Sequence, residues 1–334
     1  GIWTERSKGG QLPATERCWN NAMPTLAHRA IARLTQRGRV HCVITQNIDG
    51  LHRRSGVPNT MLAELHGNIF QEKCLACGVV FERSFDVGGV GFRPTGRQCS
   101  HCGGELIDQL LDWEDDLPER DFDLADSQSE TCSKPGGLAI CLGTSMQMTP
   151  ARDWPLMAHR VVIVNLQPTI KDSEVHLVIH ARIDDVMRDL MHRLGEPIPE
   201  FQRVESFIIS HTRLPPHSAC GAQQAVELRI GDALGAPCGF LLSVEILDLD
   251  DSALLLVQPF KKTLRFGEGT TLRLRIRFVG VPLGKALSYT PPEQTIAYQV
   301  AGESGSQVQQ VTLSPPATWA PPGEQKGTTG RDEE

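Results

Sequence analysis

The sequence predicts an α/β fold on a parallel sheet, with an inserted four-cysteine zinc-ribbon module and a small antiparallel β domain after it. Three observations predict it. Over residues 1–201, short β-branched runs ending in polar loops alternate with amphipathic helical stretches, as in parallel sheets covered on both faces. Two Cys-x-x-Cys pairs stand twenty-one residues apart. Residues 202–313 read as alternating strands separated by Gly, Pro and Asp turns. A domain boundary is expected near Pro197 to Phe201, and 314–334, rich in Pro, Gly and charge, as a disordered tail.

Taken in order, Pro24 opens a helix whose Leu26, Ala27, Ala30, Ile31 and Leu34 share one face, and Gly38 closes it. Val40 to Thr45 is a buried strand running into Gln46-Asn47-Ile48-Asp49-Gly50. Leu138 to Leu142 and Val161 to Val164 repeat that design, ending at Gly143-Thr144-Ser145 and Asn165-Leu166-Gln167. A helix spans Ile183 to Leu194. In parallel α/β sheets ligands bind beyond the carboxyl ends of the strands, where these three loops would converge. For any one loop, the plainer reading of its Gly, Asn, Ser and Thr is an ordinary turn.

In the β-rich part, Thr271 to Phe278 alternates strictly, with Leu272, Leu274, Ile276 and Phe278 on one face. Further strands are expected at Ala225 to Ile230, Phe240 to Leu249, Leu254 to Val257 and Thr295 to Val300, favouring a sandwich or barrel. Arg273, Arg275 and Arg277 occupy the other face of the alternating strand. They read first as a solvated surface, and otherwise as a surface for acidic histone segments or nucleic acid.

The chain has 334 residues, with 40 acidic against 33 basic and a formal charge of −7, which argues against holding nucleic acid by bulk electrostatics. No twenty-residue apolar run occurs, so neither a spanning helix nor a membrane partner is expected. Gly1 opens the chain and no secretory signal follows it, so the natural N-terminus is expected to lie upstream.

The ten cysteines include Cys74, Cys77, Cys99 and Cys102, the spacing of a zinc ribbon in a reducing compartment. A site of four thiolates is closed, so the zinc is structural, contributing on the order of 10 kcal/mol to folding its module, about 70–108. Gly78 and Gly103 follow the second cysteine of each pair, where a small residue is expected to let backbone amides turn toward the thiolates. The other six cysteines, Cys141 among them, read as small buried hydrophobes.

His66 lies in Glu64-Leu65-His66-Gly67-Asn68, and alone it would have a local structural role. Its combination with residues 45–55 (TQNIDGLHRRS), 62–68 (LAELHGN), both cysteine pairs, 142–145 (LGTS) and 162–167 (VIVNLQ), in that order, changes the weighing. With these motifs the chain resembles the sirtuin family from Gly1 to about Phe201, the β-rich extension lying outside the match. Residues 111–118 (LDWEDDLP) and the NLQPT run resemble its nuclear, chromatin-associated branch; other branches carry Phe-Gly-Glu where Trp113 stands.

The resemblance implies a Rossmann-like NAD domain and NAD-dependent removal of acyl groups from protein lysines, releasing nicotinamide and O-acyl-ADP-ribose. It assigns His66 as the general base, a task suited to an imidazole that is neutral at cellular pH. It places Gln46, Asn47 and Asp49 at the nicotinamide and ribose pocket and Gly143 and Ser145 against the cofactor. Asn165 and Gln167 would reach the adenosine ribose, Ile183 the adenine, and Trp3 would lie over the cofactor. Trp113 and Glu114 would pair the substrate peptide as an added strand. Acyl-lysine proteins, histones among them, chromatin association and nuclear residence follow from the same resemblance.

One departure stands out. The family's Gly-Ala-Gly-x-Ser loop after its first strand, and its Asp-Phe-Arg-Gly segment, have no counterpart here. Those glycines admit backbone amides to the pyrophosphate, so the chain as written is expected to bind NAD poorly and its sheet to lack a central strand. The reading is a piece of a longer parent, to which any activity belongs. Two rival functions are a catalytically silent zinc- and peptide-binding scaffold, and an ADP-ribosyltransferase using the same NAD chemistry.

Overall fold

The computed structural model describes residues 19–215, 224–232, 236–248, 253–258, 260–266, 269–279 and 292–313. Trp3, Cys18, Cys220 and the expected tail at 314–334 lie outside the described residues. The chain divides into two compact units, Gly1–Phe201 with Ile230–Phe240, and Gln202–Arg229 with Leu241–Glu334.

In the first unit, helix α1 (Leu26–Gln36) follows buried Pro24 and starts at Thr25, whose backbone N–H donates to Nδ1 of His28 at 3.3 Å. Gly38 takes φ +66°, letting Arg39 and Val40 N–H donate back to the Leu34 carbonyl. The apolar face of α1 packs against α4 (Ile183–Leu194), where Leu26, Ala27, Ala30 and Leu34 meet Met187 and Met191. Leu142 and Val40 seal the edge of this cluster.

The parallel sheet is present in two pieces among the described residues. Strands β1 (Val43–Thr45) and β2 (Leu62–Glu64) pair in parallel, with the short helix α2 (Leu51–Arg54) between them in sequence. Strands β7 (Leu138–Leu142), β8 (Arg160–Val164) and β9 (Leu177–Ile179) form a second parallel set in that order. The buried strand expected from Val40 begins only at Val43. Leu138 and Ile140 of β7 are exposed although they belong to an apolar strand. Helix α3 (Glu119–Cys132) packs on β2, Ala125 meeting Ala63, Leu65 and Trp154.

Between β2 and α3 comes the four-stranded antiparallel module of β3 (Gly67–Cys74), β4 (Val80–Glu82), β5 (Pro94–Gln98) and β6 (Glu105–Leu110), ordered β4-β3-β6-β5. Its interior holds Glu72, fully buried, bonded by Arg83 at 2.5 Å, Arg97 at 2.8 Å and the Thr95 hydroxyl at 2.8 Å. A buried carboxylate is tolerable only with such a set of donors, which holds its pKa below the usual carboxylate value against the opposing effect of burial.

The second unit is a sandwich of two antiparallel sheets. One contains β10 (Arg203–Arg213), β11 (Gln224–Gly231), β14 (Phe260–Phe266) and β17 (Ser304–Leu313). The other contains β12 (Leu241–Ile246), β13 (Ala253–Leu255), β15 (Thr271–Phe278) and β16 (Glu293–Gln299). The alternation of β15 is realised as read: Leu272, Leu274, Ile276 and Phe278 are buried. Phe207 of one sheet meets Phe278 of the other, ring centres 6.1 Å apart. On the outer face, Arg273 pairs with Asp248, Arg275 with Glu245 and Arg277 with Glu293. Each arginine thus has a carboxylate partner, which supports the solvated-face reading of that stripe.

Candidate functional site

Because β1 and β2 run in parallel and in register, Thr45 opposite Glu64, the loops leaving their carboxyl ends emerge side by side. The backbone joins them at once: Leu65 N–H donates to the Thr45 carbonyl at 3.0 Å, and Ile69 N–H to the Ile48 carbonyl at 3.1 Å. The first loop is shaped by its own side chains. The Thr45 hydroxyl accepts from Asn47 N–H at 3.1 Å, and the Asp49 carboxylate accepts from Leu51 N–H at 3.0 Å, starting α2. Gln46 and Asp49 are partly buried, and Asn47 is exposed.

His66 is half-buried, and its Nδ1 lies 3.1 Å from the Gln46 carbonyl. A carbonyl only accepts, so Nδ1 carries the proton and Nε2 keeps its lone pair. Burial lowers the pKa of this imidazole below its ordinary value, opposed by the bond to Gln46, so the ring is neutral at physiological pH. The arrangement is a histidine held in the tautomer of a proton acceptor, at the junction of two strand-end loops.

Three residues quoted within these motifs, but given no role from sequence, turn out to build the junction. Arg53 donates to Glu64 Oε2 through Nε at 3.0 Å and Nη2 at 2.6 Å, and Asn68 Nδ2 donates to Glu64 Oε1 at 2.8 Å. The available signal was the pair of polar residues, Glu64 and Asn68, two positions to either side of the histidine within an otherwise apolar run.

A second group gathers at the other parallel strands. Gly143 follows β7 in the left-handed conformation, φ +63°, and its N–H donates to the Val164 carbonyl at 3.0 Å. A side chain there would place its Cβ 2.7 Å from Cδ1 of Ile183, so this glycine and the first residue of α4 are brought together. Ser145 is exposed. Asn165 follows β8, its Nδ2 donating to the Gln167 carbonyl at 2.9 Å and its N–H to the Ile179 carbonyl at 3.1 Å. Gln167 is exposed. Trp113 and Glu114 are exposed just beyond β6, the indole 60% so.

The four cysteine sulfurs converge, all within 4.8 Å of one another. Cys74 and Cys102 sulfurs are 3.5 Å apart and those of Cys77 and Cys99 3.7 Å. Four sulfurs at Zn–S bonds of about 2.3 Å would be separated by about 3.8 Å, so the set fits tetrahedral zinc, with no open position for chemistry. Gly78 and Gly103 take φ +73° and +76°, and their N–H groups close turns onto the Cys74 and Cys99 carbonyls. The amides reaching sulfur come from neighbours: His101 N–H lies 3.4 Å from Cys99 Sγ, and the Cys77 amide leads in drawing the Cys74 thiol down to about 6. Of the remaining cysteines, Cys141 and Cys238 are buried and Cys42 and Cys132 half-buried. Burial pushes the Cys42 and Cys141 thiols up to about 11, leaving them unreactive.

The model of the Sir2 family matches residues 11–150. The NAD-dependent protein deacetylase SRT1 of Arabidopsis thaliana is 39% identical over 285 residues, 81% of this chain and 59% of that protein. The NAD-dependent protein deacetylase sir-2.4 of Caenorhabditis elegans is 32% identical over 206 residues, 58% of this chain and 68% of that protein. A solved structure described as Sir2 bound to acetylated peptide is 27% identical, covering 59% of this chain and 82% of its own, with a TM-score of 0.44. This chain thus spans little more than half the length of its plant relative. The Arabidopsis match is longer than residues 1–201, so similarity reaches into the β-rich extension, which the motif resemblance left outside. The chain belongs to the Sir2 family.

Proposed function

We propose that this chain contributes the catalytic side of an NAD-dependent protein-lysine deacylase. The observation that carries the reading is His66, held neutral with Nδ1 donating to the Gln46 carbonyl and Nε2 left to accept. When bound, NAD supplies the electrophilic ribose carbon that nicotinamide leaves. On this reading Nε2 of His66 takes the proton of a ribose hydroxyl, and Gln46, Asn47 and Asp49, on the adjoining loop, line the nicotinamide side. Gly143 and Ser145 lie at the β7 end with Ile183 beside them, and Asn165 and Gln167 at the β8 end, where a ribose and adenine would be held; the left-handed Gly143 leaves its backbone uncovered on that side. Trp113 and Glu114 would meet the substrate backbone, and Trp3 would cover the cofactor. Cys74, Cys77, Cys99 and Cys102 would hold one structural zinc.

The substrates are acyl-lysine proteins; histones, chromatin and a nuclear address follow from the Trp113-containing segment and its resemblance to the nuclear branch. The test is nicotinamide release and loss of the acetyl group from an acetyl-lysine peptide, comparing a full-length version of the protein with its His66→Ala variant. Deacetylation lost in the variant supports the reading, and deacetylation unchanged by it overturns the base assignment. ADP-ribose attached to protein with the acetyl group retained would favour a transferase, and no nicotinamide release even at full length would favour a zinc- and peptide-binding scaffold.

A further inference from the structure

We propose that Arg53 is a positioning residue for His66: through Glu64 and Asn68 it clamps the turn that carries the imidazole against the Gln46 carbonyl, and so fixes which ring nitrogen bears the proton. The inference rests on the reading of His66 as the proton acceptor and adds the device that keeps it one.

Glu64 is 5% exposed, and a carboxylate so placed must be fully engaged. It is. Oε2 takes two N–H groups from one guanidinium, at 3.0 and 2.6 Å, and Oε1 takes the Asn68 amide at 2.8 Å. The Glu64 backbone N–H donates to Asp121 Oδ1 at 2.9 Å. Oδ1 of Asn68 accepts from Phe70 N–H at 2.9 Å, setting the first residues of β3. Residues 64 and 68 stand two positions before and after His66, so their side-chain bond closes a ring of chain around it.

The same groups also hold the opposite side of the histidine's hydrogen bond. Asn68 lies beneath the loop that supplies the Gln46 carbonyl: a Cβ at Gly50, which takes φ +63°, would come within 3.1 Å of Asn68 Nδ2. Arg53 itself projects from α2, whose first turn is capped by Asp49 of that loop. Its Nη1 reaches Glu82 of β4 at 2.8 Å, tying the zinc module into the same guanidinium. The two loops that must stay 3.1 Å apart for His66 to keep its bond therefore converge on one arginine. A displacement of the turn by half an ångström or more would take that contact out of hydrogen-bonding range. The imidazole would then be free to carry its proton on Nε2, where it cannot act as an acceptor.

The readout is the tautomer of His66, observed by long-range proton–nitrogen correlation on the 15N-labelled chain at a pH where the ring is neutral, with His66→Ala identifying the signal. The wild-type chain is expected to be protonated at Nδ1. In Arg53→Lys, whose ammonium cannot span both Glu64 and Glu82 as a fork, the Nδ1–H to Nε2–H ratio should fall about tenfold, the ratio that one ordinary hydrogen bond supports. Asn68→Ala, which leaves the Arg53–Glu64 pair intact, should lower it as well and decides the matter alone if Arg53→Lys does not fold. Arg37→Gln removes an exposed member of a separate ion cluster at Glu196 and is expected to leave the ratio unchanged. The proposal is overturned if folded Arg53→Lys and Asn68→Ala keep the wild-type ratio, or if Arg37→Gln lowers it equally. The tautomer is read without turnover, so a clamp-dependent ratio in a chain that never deacetylates upholds the clamp and removes only the deacylase reading.

Discussion

Gly67, the residue after the histidine, offers a sharp test of how the site is held. It sits at φ +80° opposite Leu110, and a Cβ built there would fall 1.7 Å from the Gln109 carbonyl oxygen. Gly67→Ala therefore costs twice. Alanine in the left-handed region loses about 1–2 kcal/mol. The clash is with backbone, so β3 and β6 must separate at this pair. That weakens the 3.3 Å bond from Leu111 N–H to the His66 carbonyl and loosens the packing of fully buried Leu110, about 2–3 kcal/mol more. The total, about 3–5 kcal/mol, is a large share of the roughly 5–15 kcal/mol that stabilises a domain. For a unit of this size it lowers Tm by roughly 6–20 °C. Gly38→Ala is the control: φ is +66° and nothing lies within 4 Å of its Cβ, so only the backbone cost of about 1–2 kcal/mol remains. Differential scanning calorimetry of both variants decides. A Gly67→Ala chain that melts no lower than Gly38→Ala would show that β3 and β6 tolerate a side chain at this pair.

Three other outcomes are expected. Elemental analysis should find one zinc per chain, and Cys99→Ser should lose it and unfold the module, at a cost on the order of 10 kcal/mol; a variant that keeps its metal and its melting profile would contradict the four-sulfur site. Acid should destabilise the first unit. Burial lowers the pKa of His52 to about 4 and that of His28 below 6.5, so between pH 6.5 and about 4 the unfolded chain binds more protons than the folded one. This stability is present in full above pH 6.5 and is lost as pH falls. Urea midpoints at pH 7 and pH 5 should differ, less so in His52→Gln, and equal midpoints in the wild-type chain would reject the linkage. Finally, the sequence contains no Gly-Ala-Gly-x-Ser loop, so isothermal titration should show NAD binding weaker than in a relative carrying that loop. Two missing charge-assisted bonds correspond to roughly a hundredfold to ten-thousandfold; matching affinities would show that other donors serve the pyrophosphate.

Much of this was legible in the chain because it depends on local chemistry. Cys-x-x-Cys pairs specify tight turns wherever they occur, and the sulfurs were found together. The heptad-like face of α1, the full extent of α4 and the strict alternation of β15 follow from periods of 3.6 and 2, which need no knowledge of partners. The motifs around His66 and the cysteine pairs carried the resemblance to the family to which the chain belongs. Other features were not legible. Nothing in the pattern of Ile230–Phe240 says that this stretch, flanked by sandwich strands, packs with the first unit, where Ala236 meets Phe85 and Val87 and Gly239 N–H donates to the Ser84 hydroxyl at 3.0 Å. The arginines of β15 looked like a charged stripe because their carboxylate partners lie on other strands or turns.

What could be read from the chain alone were the periodic helices and strands, the spacing of the four cysteines and the motif around His66, since these rest on side-chain chemistry and on spacings of a few residues. Folding in three dimensions was needed to bring His66 Nδ1 to the Gln46 carbonyl and to bury Glu64 between Arg53 and Asn68. Both depend on which backbone groups a parallel pairing of β1 and β2 brings within about 3 Å, and hydrogen bonds of that length are fixed by three-dimensional register rather than by neighbours in the chain.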